Sequence, residues 1–369
     1  MDKVRFGIVG VGAMGGAHAK NLLEGKVTGG TLGAVYDIEP ARTEKLAEEH
    51  PEVTVFDSAS AMFKSGAIDA VLIATPHYFH PPIAMEAFLY GLHVMTEKPA
   101  GVYTKQVREM NEAAAEAKVV FGIMYNQRTD SVYRKMREMV YDGELGELKR
   151  TNWIITNWYR PEAYYKSGSW RATWRGEGGG VLLNQCPHNL DLWQWICGMP
   201  HKVTAFCHEG KWHDIEVEDD VTAYVEYENG ATGVFVTCTA DAPGTNRFEI
   251  TGDKGKLVCE NGKLEFYSLA TPEREFNKEN KIPFNAPKSS RSVVKTDGTN
   301  PQHVGILNAF ADKILGGAGE LYARGEEGIN GLTLSNAMHL SSWLGKTVAL
   351  PLDEELFLSE LKKKYRKFE

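Results

Sequence analysis

Three groups of residues have the types and spacing to do chemistry. The first is the pattern Gly10-Val11-Gly12-Ala13-Met14-Gly15, followed 22 residues after Gly15 by an acid, Asp37. Glycines at these intervals allow a tight turn, close backbone approach to a pyrophosphate and close packing of a helix on a strand. A carboxylate at Asp37 accepts hydrogen bonds from a ribose 2′-hydroxyl and repels a 2′-phosphate. Ile38, Glu39 and Pro40 add no cation and Arg42 is the nearest, so NAD is expected over NADP. Asp37 also has the place of a helix N-cap ahead of "EPARTEKLAEE". The second group is Glu97-Lys98-Pro99, at the end of an apolar run. A cation there polarises a carbonyl oxygen or stabilises a developing alkoxide, and Glu97 reads as a cofactor or structural contact. The third is Asn184 with His188 in "GGGVLLNQCPHNLDLWQW". Spaced i, i+4, the two share a face if the segment is one helix. An imidazole suits proton exchange near neutral pH, though a histidine on an apolar helix is as readily a core residue. The run Gly178–Gly180 lets backbone pass close to a ligand or cofactor, and Asp191, one turn from His188, reads as its structural partner.

Ahead of that segment lies "NWIITNWYRPEAYYKSGSWRATWRGEGGG", dense in aromatics and arginines. Trp158, Tyr159, Tyr164, Tyr165, Trp170 and Trp174 alternate with Arg160, Arg171 and Arg175. Apolar sugar faces stack on aromatic rings, while Arg and Tyr bind hydroxyls. A packed cap or an oligomer interface has the same composition, so both readings stand. As a sugar site, the segment would use Tyr159, Trp170, Arg171 and Trp174.

The elements that must position these groups fall into two classes. Up to residue 124, short apolar strands ("VRFGIVG", "TLGAVYD", "VTVF", "AVLIAT", "HVMTEKP", "VVFGIMY") alternate with helical patterns. That alternation predicts crossover units and a doubly wound parallel sheet, an α/β domain over 1–124. From 125 to 369 the signals change. "DDVTAYVEYENGATGVFVTCTA" and "KLVCENGKLEFY" are alternating runs joined at Asn229–Gly230 and Asn261–Gly262, a strong hairpin signal. The polar segment 271–299 has little periodicity and is expected as a long surface loop.

Composition excludes several classes. The 369 residues exceed one ordinary core, and 43% hydrophobic with 24% charged residues is usual for a folded domain pair. A net charge of −8 repels polyanions, so no nucleic-acid partner is expected. Five scattered cysteines without CxxC spacing read as free thiols in a cytoplasm, and no leader or membrane-length apolar run is seen. No carboxylate–histidine spacing calls for a metal.

The glycine turn, "IATPHYFHPPIAMEAFLYGLHVMTEKPAG", "GGGVLLNQCPH" with Asp191, and "GINGLTLSNAMHLSSWLGKTVALP" together resemble the Gfo/Idh/MocA oxidoreductase family over almost the whole chain. The resemblance implies a Rossmann domain, then a domain with a large, open, mainly antiparallel sheet. That sheet carries the substrate site and commonly a homo-oligomer contact, dimer or tetramer. It also implies that Lys98 reaches the reacting hydroxyl and cofactor, and that His188 is the acid/base. The family's aspartate at the position of Asn184 is missing, which leaves Lys98 and His188 as the catalytic pair. Expected cofactor contacts are Gly10, Gly12, Ala13, Met14, Gly15, Asp37, Thr75, Pro76, His80, Glu97 and Lys98. His77 and His80 read as loop or cofactor-edge residues. Tyr125, Asn126 and Arg128, after the sixth strand, are second-tier substrate candidates beside Asn184 and His188. The function implied is NAD-dependent oxidation of a secondary hydroxyl of a sugar, glycoside or cyclitol, with the 3-hydroxyl of a glucoside suggested by "LLNQCPHNLDLWQW". Alternatives are a glycosidase-type elimination through transient C3 oxidation, an inositol dehydrogenase, and a non-catalytic NAD sensor, which the retained Lys98 and His188 disfavour.

Overall fold

The computed structural model describes residues 2–367 and divides them into two compact units. Of these, the first comprises residues 2–129, 176–178 and 300–332, and the second the other described residues. A single boundary at 124/125 was expected; instead the chain returns to the first unit after residue 299.

In the first unit, strands β1 (Val4–Val9), β2 (Gly30–Tyr36), β3 (Thr54–Val55), β4 (Ala70–Ile73), β5 (His93–Thr96) and β6 (Phe121–Ile123) form one sheet in the order β3-β2-β1-β4-β5-β6. All its pairs are parallel. β4 is buried along its whole length, as a strand covered on both faces must be. The crossovers are α1 (Ala13–Leu23), α2 (Ala41–Glu49), α3 (Ala59–Lys64), α4 (His80–Leu89) and α5 (Thr104–Ala117). The order reverses between β1 and β4, the place where ligands bind beyond the carboxyl ends of such sheets.

The second unit is built on nine strands. They are β7 (Leu148–Ile155), β8 (Lys202–Glu209), β9 (Glu218–Glu226), β10 (Thr232–Cys238), β11 (Asn246–Gly252), β12 (Gly255–Glu260), β13 (Lys263–Leu269), β14 (Ser289–Val293) and β15 (Val348–Ala349). Their order is β14-β13-β12-β11-β7-β10-β9-β8-β15, with only β7 and β10 parallel. Both Asn-Gly hairpins form; Asn261 and Gly262 have φ of 50° and 75°, the positive pair a type I′ turn requires. The segment 271–299 is not one loop. It holds a short helix, Glu273–Glu279, and the edge strand β14, whose five residues are all exposed. An edge strand with no buried face has no apolar alternation to betray it.

Helices α6 (Ser131–Tyr141), α7 (Glu162–Tyr165) and α8 (Pro187–Cys197) precede most of these strands. α8 is held on the sheet by Trp193, which stacks on Phe235 of β10 and donates to Thr151 Oγ1 of β7 at 3.0 Å. Gly233 gives that indole room, since a Cβ there would press on it. The short helix 273–279 is α9; α10 (Gln302–Ile314) belongs to the first unit, α11 (Gly328–Leu344) follows, and α12 (Glu354–Lys367) closes the chain. The return has a plain cause: Ile306, Leu307, Phe310 and Ala311 of α10 share a core with Val4, Phe6 and Leu32, Phe310 lying 6.1 Å from Phe6. Among the described residues no helix is long and apolar enough to cross a membrane, and no cluster of three or more His, Cys, Asp or Glu side chains is disposed to hold a metal.

Candidate active site

In the first unit, β1 ends at the glycine turn and α1 begins directly after Gly12, which offers no side-chain cap. The amides of its first turn therefore lack intrahelical partners and present a positive dipole end. A Cβ at Gly15 would collide with the Gly10 carbonyl, whereas open space surrounds the Cβ position of Gly12. Asp37 Oδ2 accepts the Val11 amide at 2.6 Å and Oδ1 the Glu39 amide at 2.9 Å. The acid thus ties the end of β2 to the turn.

Two expectations for Asp37 change. It does not cap α2, which starts at Ala41 behind Pro40, a ring already set at helical φ. Arg42 does reach it: Nη1 lies 3.4 Å from Oδ1, so the carboxylate has a cation beside it. At the carboxyl end of β4, next to half-buried Pro76, Thr75 Oγ1 is buried without a hydrogen-bond partner. An open glycine, unpaired helix amides and an orphaned hydroxyl fit a bound dinucleotide.

His80, expected as a loop or cofactor-edge residue, is turned into the protein interior. It is 1% exposed, and its Nδ1 and Nε2 lie 2.7 Å from the carbonyls of Pro99 and Thr75. Burial favours the neutral ring with its single N–H, which donates to one of these carbonyls at a time, between the segments that follow β4 and β5. His77 is likewise buried, its Nδ1 2.9 Å from the Glu177 carbonyl. Tyr125 and Arg128, expected as substrate contacts, are each 1% exposed. The Arg128 guanidinium is paired with Glu327 at 2.8 Å, because a buried cation requires a counter-charge, and Tyr125 lies under it. Asn126 is buried and bonded to Gln302.

Glu97 and Lys98 follow β5, at the same edge of the sheet. Lys98 is half-buried and joined to Pro99 by a cis peptide. Glu97 is 5% exposed; its Oε1 lies 2.7 Å from His18 Nε2, and its Oε2 accepts the Lys98 amide at 3.1 Å. Burial alone would push this carboxyl up. The hydrogen bond and charge of His18, with Lys98 and His303 nearby, outweigh it and hold Glu97 at about 2.

In the second unit, α8 begins at Pro187, so Asn184 and His188 are not one helical face apart. Proline has no amide to give and is tolerated only in the first turn. Residues 181–185 form turns, with Asn184 donated by its own amide to the Gly180 carbonyl. His188 sits in the first turn of α8 and is 9% exposed. Asn184 Nδ2 reaches Tyr164 Oη at 3.0 Å, where Gln185 Nε2 (3.1 Å) and Arg171 Nη1 (2.8 Å) also converge. Arg171 packs over both Tyr164 and Trp170, and Arg160 over Trp158 and Tyr164. Trp170 and Arg171 are half-exposed and Tyr159 is 51% exposed. Trp174 departs from expectation. It is fully buried, edge-on to His339 and Trp343, and so belongs to the packed-cap reading. Asp191 is buried and accepts from Gln194.

The glycine run also reads differently. Gly178 abuts Val102 in the first unit and Gly180 abuts the Glu218 carbonyl in the second, so protein packing demands them. Glu218 was not singled out from "EVEDD", yet it is fully buried and clamps the turn before His188. Its carboxylate accepts the amides of Gly180 (2.9 Å) and Leu182 (3.0 Å), with His339 Nε2 3.0 Å away. His18, His303 and Glu218 are the residues sequence reasoning passed over. Each lacks a local signal, because its importance lies in a partner distant along the chain.

Residues 4–125 match the GFO_IDH_MocA model, "Oxidoreductase family, NAD-binding Rossmann fold", and residues 133–258 match the "GFO/IDH/MocA C-terminal domain". Inositol 2-dehydrogenase of Corynebacterium glutamicum is 26% identical over 62% of this chain and 64% of its own length. The 1,5-anhydro-D-fructose reductase of Ensifer adhaerens is 25% identical over 70% and 76%. The first of these relatives is thus matched over less than two thirds of its length. The WlbA dehydrogenase of Bordetella pertussis, solved with NADH and UDP-GlcNAcA, superposes with a TM-score of 0.81 at 25% identity, covering 96% of this chain and 99% of that one.

Proposed function

This chain belongs to the GFO/IDH/MocA family of oxidoreductases, and we propose that it is an NAD-dependent dehydrogenase acting on a secondary hydroxyl of a sugar, glycoside or cyclitol. The observation that carries the reading is in the first unit: Lys98 ends the strand next but one to the dinucleotide turn, in the same parallel sheet. Bound NAD⁺ supplies one piece of chemistry, acceptance of hydride. Lys98 holds the substrate oxygen as negative charge develops on it. His188 accepts the hydroxyl proton at its imidazole. Tyr159, Trp170 and Arg171 offer rings and a guanidinium to the sugar, and Asn184 an amide.

Relatives that act on inositol and anhydrofructose, and one solved with a nucleotide sugar, support a polyhydroxylated substrate. The 3-hydroxyl of a glucoside is the finer form of this reading. The division of labour, cofactor in 1–124 and substrate in 125–369, is part of the same proposal. So are a cytoplasmic location, for which five cysteines joined by no disulfide among the described residues speak, and a homo-oligomer. The second is supported by a strip of exposed apolar side chains on one sheet face: Phe206 (64%), Tyr224 (41%) and Ile154 (41%), with Val234 and Val236 between them in register.

The test is His188→Ala. If His188 is the base, kcat falls by about 10²–10⁴-fold while NAD⁺ affinity stays within a factor of two. Near-normal turnover in a folded variant would return His188 to a core role.

A further inference from the structure

Glu97 is a buried anion that the proposed hydride chemistry leaves without a task. Three charged or titratable groups face it: His18 from α1, Lys98 from its own strand end and His303 from α10. His18 is fully buried and gives its Nε2 to Glu97, while its Nδ1 is buried with no hydrogen-bond partner. The His303 ring stands edge-on to His18 at 5.5 Å. Burial pushes His303 down from its ordinary value, so it sets no fixed positive charge opposite Glu97. Burying this carboxylate with its partner is costly, and an apolar pair in place of both His18 and Glu97 would pack there at no greater cost. The carboxylate's retention calls for an electrostatic task.

The sheet limits where the bound cofactor's two halves lie. Asp37 marks the adenosine side at the end of β2, and the glycine turn at β1 takes the pyrophosphate. The nicotinamide half must then run the other way, over β4 and β5. β5 lies two strands from β1, about 10 Å across the sheet. Glu97 ends that strand. The nicotinamide ring is positively charged in NAD⁺ and neutral in NADH, so a fixed negative charge at this range discriminates between them.

We propose that the His18–Glu97 pair sets the cofactor's redox preference, its fixed carboxylate favouring NAD⁺ over NADH. The inference rests on the cofactor reading above and is independent of the substrate. It is a positioning role for charge: Glu97 exchanges no proton with substrate, and His18 acts only through Glu97.

The test measures dissociation constants of NAD⁺, NADH and ADP-ribose, by calorimetry or fluorescence, for the wild type, Glu97→Gln and His18→Leu. ADP-ribose lacks the nicotinamide and reports on the adenosine half alone. Removing one charge no more than about 10 Å away should change the NADH-to-NAD⁺ dissociation-constant ratio at least about tenfold in Glu97→Gln, NAD⁺ weakening relative to NADH. His18→Leu should move the ratio the same way, because without the His18 contact burial pushes the Glu97 carboxyl towards its neutral form, and ADP-ribose should bind all three proteins alike. A ratio within twofold of wild type in both variants would overturn the proposal. So would parallel weakening of all three ligands, which would make the pair a packing contact. Failure of the wild type to bind either dinucleotide would instead defeat the cofactor reading itself.

Discussion

Replacing Glu218 with glutamine tests how the turn ahead of His188 is held. The wild-type carboxylate is fully buried and accepts two backbone amides, Gly180 at 2.9 Å and Leu182 at 3.0 Å, beside His339. Glutamine keeps the shape but has one oxygen. One amide must then face an NH₂ group, losing a charge-assisted bond of about 1.5–3 kcal/mol and stranding a buried donor. The two costs overlap, and about 3 kcal/mol is the expected loss. For a unit of this size that lowers the melting temperature by roughly 6–12 °C.

The loss should also depend on pH. Burial pushes the Glu218 carboxyl up, but the charge and contact of His339 and the two amides outweigh it, so it lies below its ordinary 4.5 when folded. A depressed carboxylate stabilises the fold above its unfolded value and loses that contribution as pH falls through the folded one. The wild-type advantage over Glu218→Gln should therefore be full at pH 7 and shrink below about pH 4.5. Urea unfolding followed by tryptophan fluorescence, from pH 3.5 to 8, measures it. A difference under about 0.5 kcal/mol at pH 7, or one that grows in acid, would refute the clamp.

Other outcomes follow from the same geometry. NAD should bind at least about tenfold more tightly than NADP, by calorimetry. Asp37→Ala should reverse much of this preference, because Arg42, now 3.4 Å from the carboxylate, becomes available to a 2′-phosphate; an unchanged ratio would count against the role of Asp37. Tyr164→Phe removes the oxygen on which Arg171, Asn184 and Gln185 converge, so substrate KM should rise about tenfold with NAD⁺ affinity constant. A normal KM would leave that hub structural. Glu97, held at about 2, stabilises the fold above about pH 4.5 and loses its contribution between there and 2, so Glu97→Gln should cost about 3 kcal/mol at pH 7 and progressively less in acid, as denaturation would show.

Much of the fold was legible because its signals are local. Continuous apolar runs before the glycine turn and Asp37 became buried parallel strands, and both Asn-Gly pairs became hairpins. β14 and the return of α10 were not legible. The first has no buried face, and the second is a matter of which core Phe310 joins. At the candidate site, Pro187 was in plain view yet its consequence for Asn184 was missed, because the apolar spacing favoured one uninterrupted helix. Trp174 and Arg128 have the side chains of binding residues; their burial against Trp343 and Glu327 is a tertiary fact no spacing encodes. The same holds for His18, 79 residues from Glu97.

Net hydride transfer to NAD is tested most directly by stoichiometry. A panel of glucosides, free sugars and inositols is incubated with the protein and NAD⁺, with NADH read by absorbance and products by mass spectrometry. The account predicts that an accepted substrate yields one NADH for each molecule converted to a ketone, and that Lys98→Ala and His188→Ala lose both together. Substrate consumed with release of free aglycone and no accumulation of NADH would contradict it, and would assign the same residues to oxidation, elimination and re-reduction within one turnover.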